Sequence, residues 1–68
     1  MSYLINEPVE FSTVQNSKKG WTVGTAIDPT TSDISWFVQN SERTTTLKCK
    51  CRVEAHCEWY FKVNPDEK

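Results

Sequence analysis

Four residues whose side chains commonly bind metals lie in one short segment: Cys49, Cys51, His56 and Cys57. Tetrahedral zinc accepts sulfur and nitrogen ligands of these types. Their spacing differs from that of standard sites, which use two short ligand pairs on separate turns. Free cysteines are also common as small buried side chains. Three interpretations follow for the thiols, namely core side chains, zinc ligands together with His56, or a disulfide.

Catalysis by these residues is not expected. A nucleophilic Cys57 needs a base that faces its sulfur, whereas its neighbour His56 would point to the opposite face of a strand. We interpret His56 as an exposed loop residue when it is not a ligand. The sequence also contains no glycine-rich phosphate loop and no paired-carboxylate pattern. It therefore predicts a binding protein and not an enzyme.

The elements that position these residues are predicted to be strands. Alternating apolar and polar residues between turn residues indicate a mostly β, or all-β, chain with a small antiparallel sheet of about five strands. The predicted strands are residues 9–14, 21–27, 34–39, 45–53 and 57–63. A short helix over residues 31–37 is the alternative to the third strand. Together, residues 1–63 would form one domain, and residues 64–68 a solvated tail.

The last two predicted strands form a hairpin, joined by a loop at residues 54–56, with two different faces. Its odd positions are mostly apolar and would be buried: Leu47, Cys49, Cys51, Val53, Cys57, Trp59, Phe61 and Val63. Its even positions include four cations and one aromatic ring: Lys48, Lys50, Arg52, Lys62 and Tyr60. Cations contact phosphates and rings stack on bases. This outer face is predicted to bind nucleic acid or an acidic, nucleic-acid-associated protein, with an ordinary solvated face as the alternative.

Size and charge limit the class of protein. A chain of 68 residues buries a small core, so zinc or self-association through uncovered sheet edges would add stability. The net charge of −1 provides no overall field for nucleic acid, and only residues 42–63 have a positive excess before the tail. The chain lacks a long apolar run, a secretion signal and an even number of cysteines. We expect an intracellular protein, cytoplasmic or nuclear, without membrane contact.

One pattern in the sequence resembles a known family. It is a polar and basic segment followed by Cys51, Cys57 and Trp59. Residues 40–63, about the C-terminal third of the chain, resemble the N-terminal DNA-binding domain of Mutator-like transposases, which is related to WRKY and FLYWCH zinc domains. The resemblance implies that Cys51 and Cys57 bind zinc and that Trp59 is a core residue of an antiparallel sheet. The family's closing His-x-His or His-x-Cys pair has no counterpart here. Either the chain is a fragment, or Cys49 and His56 take the place of that pair.

A second function fits the same sequence. A small viral or phage-type protein could bind and inhibit a host or defence protein through a sheet edge or an exposed aromatic patch. The short chain beginning at Met1 and its near-neutral charge favour this alternative.

Overall fold

A computed structural model describes residues 3–5 and 7–64, which form one antiparallel sheet and one helix. The elements are β1 (Tyr3–Ile5), β2 (Phe11–Lys18), β3 (Trp21–Ile27), β4 (Ile34–Asn40), β5 (Thr46–Cys49) and α1 (Arg52–Val63). The strand order is β1-β5-β4-β3-β2. The mostly β fold class and the small antiparallel sheet of five strands are thus confirmed. Residues 65–68 of the predicted tail lie outside the described residues.

The first three predicted strands exist, and two of them have altered ends. β3 has the predicted bounds, and β4 extends one residue beyond them to Asn40. β2 runs later than predicted, to Lys18, because Lys19 (φ 52°) and Gly20 (φ 80°) make a tight left-handed turn directly after it. Such turns match the twist of paired strands.

The alternative helix over residues 31–37 does not form. The carboxylate of Asp28 accepts a hydrogen bond from the backbone N–H of Thr30 (2.7 Å), and the Asp28 carbonyl accepts one from Ser32 N–H (2.8 Å). These local bonds close a turn, which competes with helix formation. Ile34 then begins β4.

The predicted C-terminal hairpin is wrong. β5 ends at Cys49, and residues 52–63 form α1 instead of a loop and a strand. The apolar residues Ala55, Trp59 and Val63 are four positions apart, so they share one helical face as well as one strand face, and the helix buries all three. The segment also contains no glycine or proline to make a hairpin turn, and its Ala, Glu, Arg and Lys residues favour a helix.

The central part of the sheet is covered on both faces, whereas β2 is largely exposed. On one face, α1 packs over a core formed by Val23, Val38, Cys49, Ala55, Trp59 and Val63. On the other face, the segment between β1 and β2 covers Ala26 and Phe37 with Val9. Gln39 holds this segment, since its side chain accepts a hydrogen bond from Val9 N–H (2.9 Å) and donates one to Val9 O (3.2 Å).

Candidate functional site

The five residues of the predicted outer face lie on different elements. Lys48 is on β5, Lys50 follows β5, and α1 carries the other three: Arg52, Tyr60 and Lys62. The ammonium group of Lys48 forms an ion pair with the carboxylate of Asp28. The ammonium group of Lys62 lies 5.5 Å from the centre of the Trp21 ring. The hairpin face predicted to bind nucleic acid therefore does not exist, because its second strand is a helix.

The four candidate metal ligands are also separated. Cys49 is buried in β5, Cys51 is exposed at the N-cap of α1, and Cys57 is exposed on α1. The His56 ring packs edge-on against Trp59, 5.5 Å between ring centres. Within residues 3–5 and 7–64, no three His, Cys, Asp or Glu side chains are grouped as metal ligands would be. Zinc binding, and with it the transposase-like resemblance, stays a prediction.

The Cys49 thiol belongs to the core. Burial raises its pKa to about 12, and the nearby negative charges of Glu54 and Glu58 act in the same direction. Metals and electrophiles react with the thiolate form. Cys49 therefore stays neutral at physiological pH, which matches the interpretation of this thiol as a small core side chain.

The outward face of α1 is apolar. It presents Val53, Cys57, Tyr60 and Phe61, which we call the outer stripe. Val53 is 65% exposed, Phe61 53% and Tyr60 43%, and the last two rings contact each other edge-on at 6.1 Å. Spacings of four, three and one residue place the side chains on one side of a helix, away from Ala55, Trp59 and Val63. A helix packed on a sheet normally has a polar outward face, so the outer stripe has a surface typical of a contact site.

Charged groups border the outer stripe unequally. At about 100° per residue, Glu54 and Glu58 lie on one side of it, and His56 lies on the other side next to Tyr60. Cations lie near the two ends of the helix, with Arg52 at its first residue and Lys62 in its last turn.

The sequence analysis missed this surface. It assigned Val53, Cys57 and Phe61 to a buried strand face, because every odd position from Val53 to Val63 is apolar or small. In a helix the same positions divide into two opposite faces. Three of them are also four residues apart, as are the three buried ones, and this repeat is the signal that could have revealed a helix with two apolar faces.

A cavity of about 560 Å³ lies beside the ion pair of Asp28 and Lys48. Its lining residues are Ile5, Glu7, Asp28, Pro29, Thr30, Thr31 and Lys48. The hydrogen bond from Lys48 and those from the backbone of Thr30 and Thr31 lower the pKa of the Asp28 carboxyl. Through these bonds Asp28 fixes the connection between β3 and β4.

The Asp28 ion pair predicts that the free energy of unfolding decreases at acidic pH. The pKa of Asp28 in the folded state lies below its ordinary value of 3.8. The contribution of Asp28 to stability is therefore complete above pH 3.8 and is lost as the pH falls through the folded-state pKa. Unfolding followed by circular dichroism from about pH 6 to about pH 2 should show this loss, and Asp28→Asn should reduce the pH dependence. Asp33→Asn, at an exposed position in the same turn, is the control. If Asp28→Asn leaves the loss of stability at low pH unchanged, Asp28 is not its cause.

The fold and this surface define a small, mostly β domain with a helix that presents an apolar face. The sequence matches no protein-family model, and no curated protein or solved structure matches it significantly. Among the described residues, no helix is both long and apolar enough to cross a membrane.

Proposed function

We propose that this domain is a non-enzymatic binding module that recognises another protein chain through the outer stripe of α1. The supporting observation is that α1 carries apolar side chains on its outward face as well as on its buried face. A helix that is apolar on opposite faces normally contacts other protein on both. Helices with such a stripe commonly bind in apolar grooves or beside other helices, with residues i, i+4 and i+7 as anchors.

The side chains of the outer stripe suit protein recognition. Tyrosine is enriched among residues that dominate binding energies, and aromatic rings combine a large contact area with few rotatable bonds. Here Tyr60 and Phe61 already hold each other edge-on, so their conformations are partly fixed before binding. Preorganisation of this kind lowers the entropy cost of association.

The bordering charges favour protein over nucleic acid at this surface. Glu54 and Glu58 flank the outer stripe, and their negative charges would repel phosphates. Association driven by apolar contact is also less sensitive to salt than phosphate binding. We therefore expect binding to the outer stripe to persist when the salt concentration is raised.

A second candidate function, nucleic-acid binding, finds support beside the last turn of α1. Lys18 is paired across the strands with Trp21, and the ammonium group of Lys62 lies over the Trp21 ring. Cations around an aromatic ring suit single-stranded nucleic acid. Retention of the protein on a single-stranded DNA column, with loss on added salt and in a Lys18→Ser, Lys62→Ser variant, would favour this candidate.

Phe61→Glu is the variant that tests the proposed function. A charged side chain in the middle of the outer stripe should weaken retention of a protein partner on the immobilised domain by roughly tenfold or more, equivalent to about 1.4 kcal/mol. Ile34→Glu is the matched control, since Ile34 is 66% exposed and lies on β4, outside the stripe. Circular dichroism should show that both variants are folded. Equal retention by the Phe61 variant and the wild type would contradict the proposal.

A further inference from the structure

We propose that residues 7–10, which we call the strap, occupy a peptide-binding site as an internal ligand, and that an extended segment of another protein binds this site when the strap is displaced. The site lies on the sheet face opposite α1 and consists of Ala26, Phe37 and Gln39. The inference goes beyond the proposed function, since it concerns a second surface and does not depend on the outer stripe.

Gln39 recognises the backbone of the strap. Its carboxamide oxygen accepts a hydrogen bond from Val9 N–H (2.9 Å), and its amide nitrogen donates one to Val9 O (3.2 Å). Two residues on neighbouring antiparallel strands exchange the same pair of bonds. The side chain of Gln39 therefore acts as a strand edge. It fits a residue with a backbone N–H, which excludes proline at this position of a ligand.

The polar groups of the site favour an occupied state. Gln39 and Thr46 are both buried, and the Thr46 hydroxyl donates a hydrogen bond to the carboxamide oxygen of Gln39 (2.8 Å). An empty site would remove the bond from the amide nitrogen of Gln39 to Val9 O, and a buried polar group that loses a bond destabilises the protein. Departure of the strap is therefore favoured when another peptide chain supplies the same bonds.

Val9 provides the side-chain part of the recognition. It is buried and packs on Ala26 and Phe37, whereas the other three residues of the strap are exposed. Within residues 7–64, the hydrogen bonds between the strap and the rest of the protein all involve Val9. A ligand should thus need an aliphatic residue of similar size at this position, and its flanking residues are free to vary.

The strap is open on one side. The cavity of about 560 Å³ is lined by Glu7 of the strap and by Pro29, Thr30 and Thr31 of the turn that follows β3. The strap is therefore not enclosed by other elements on this side. A longer peptide that runs in the same direction as the strap has space here for residues that precede its aliphatic one.

Covalent attachment gives the strap an advantage over a free peptide. Short flexible linkers produce effective concentrations in the millimolar range, so a free peptide with the same contacts competes poorly with the strap of the wild type. Val9→Ala removes apolar contacts of the strap and should weaken its hold by roughly tenfold. Binding of a free peptide should become stronger by the same factor.

Hydrogen exchange in the wild type tests whether the strap opens separately from the sheet. NMR should give Val9 N–H a protection factor at least tenfold lower than that of the amides that bond β3 to β4, because opening of the strap leaves the sheet intact. Equal protection would mean that the strap leaves only when the whole domain unfolds, and it would overturn the inference.

The second experiment measures peptide binding to the full chain. The probe is a capped peptide with the sequence of residues 7–11, and binding is followed by the NMR signals of the Gln39 side-chain amide. Val9→Ala should bind the probe at least tenfold more tightly than the wild type does. Val14→Ala, at an exposed valine of β2, is the matched control and should bind like the wild type. A probe methylated at its valine nitrogen should bind at least tenfold more weakly, because it has no N–H for Gln39.

Two results of this experiment would contradict the inference. One is a Val9→Ala protein that is folded by circular dichroism and shows no change in the Gln39 signals at about 10 mM probe, above the effective concentration of a short linker. The other is a Val9→Ala protein that does not fold, which would make the strap a required part of the core. Neither result affects retention of a partner through Phe61, so the proposed function is tested separately.

Discussion

Replacement of Trp59 with alanine is expected to reduce the free energy of unfolding by about 3–5 kcal/mol. The side chain is 8% exposed and packs in the core between α1 and the sheet. Its indole Nε1–H donates a hydrogen bond to Trp21 O (2.9 Å), and the substitution removes this bond. Small domains have little stability to spare, so a loss of this size should leave much of the protein unfolded at room temperature. Urea titration followed by circular dichroism measures it.

Phe61→Ala is the matched control for Trp59→Ala. Phe61 lies two residues away and is 53% exposed, so its truncation should change stability by no more than about 0.5 kcal/mol. In the hairpin predicted from the sequence, both rings would share one buried face and both variants would be strongly destabilised. Equal losses for the two variants would therefore contradict the helix.

Gly24→Ala is the second substitution with a large expected effect. A Cβ atom at this position would lie 2.1 Å from the backbone oxygen of Thr13 and 3.1 Å from the Cα atom of Val14, both on β2. Backbone atoms cannot rotate away as a flexible side chain can, so β2 must move from β3. We expect a loss at or above the upper end of the about 1–3 kcal/mol typical of overpacking.

The control for Gly24→Ala is Thr22→Ala on the same strand. It removes an exposed hydroxyl contact to Ser17 (3.1 Å) and introduces no clash. Thermal unfolding should show a much larger decrease for Gly24→Ala. A Gly24→Ala protein as stable as the Thr22 variant would show that β2 does not approach β3 this closely.

The sequence analysis succeeded where local signals agree. Alternation between clear turns predicts β3 from Trp21 to Ile27 with its observed ends. The predicted end of β2 is too early, because a lysine such as Lys19 gives no sequence signal for a left-handed backbone conformation. β1 was missed because a strand of three residues is defined by its pairing with β5, a contact between distant parts of the chain.

The candidate site could not be predicted because residues 53–63 satisfy two periodicities at once. Apolar side chains at every second position form one face of a strand or two opposite faces of a helix. Packing of Ala55, Trp59 and Val63 against the sheet selects the helix, and this packing is not visible in the segment itself. The same choice separates the cations of the predicted nucleic-acid face and exposes Val53 and Phe61.

The structure agrees with one feature implied by the transposase resemblance and differs from another. The structure buries Trp59, as the resemblance implies, but on a helix instead of an antiparallel strand. Cys51 and Cys57, the two implied zinc ligands, are both exposed. Zinc bound by Cys51 and Cys57 would protect both thiols from modification.

Thiol reactivity therefore tests most directly whether residues 52–63 form a helix with an exposed outer stripe. The folded protein is treated with a maleimide, and modified peptides are quantified by mass spectrometry. We expect Cys51 and Cys57 to react rapidly, and Cys49, which is buried with its pKa raised to about 12, to react only after unfolding. A Cys57 that is protected like Cys49 in the folded protein would show that the outer stripe is buried, which would contradict the helix and the binding surface together.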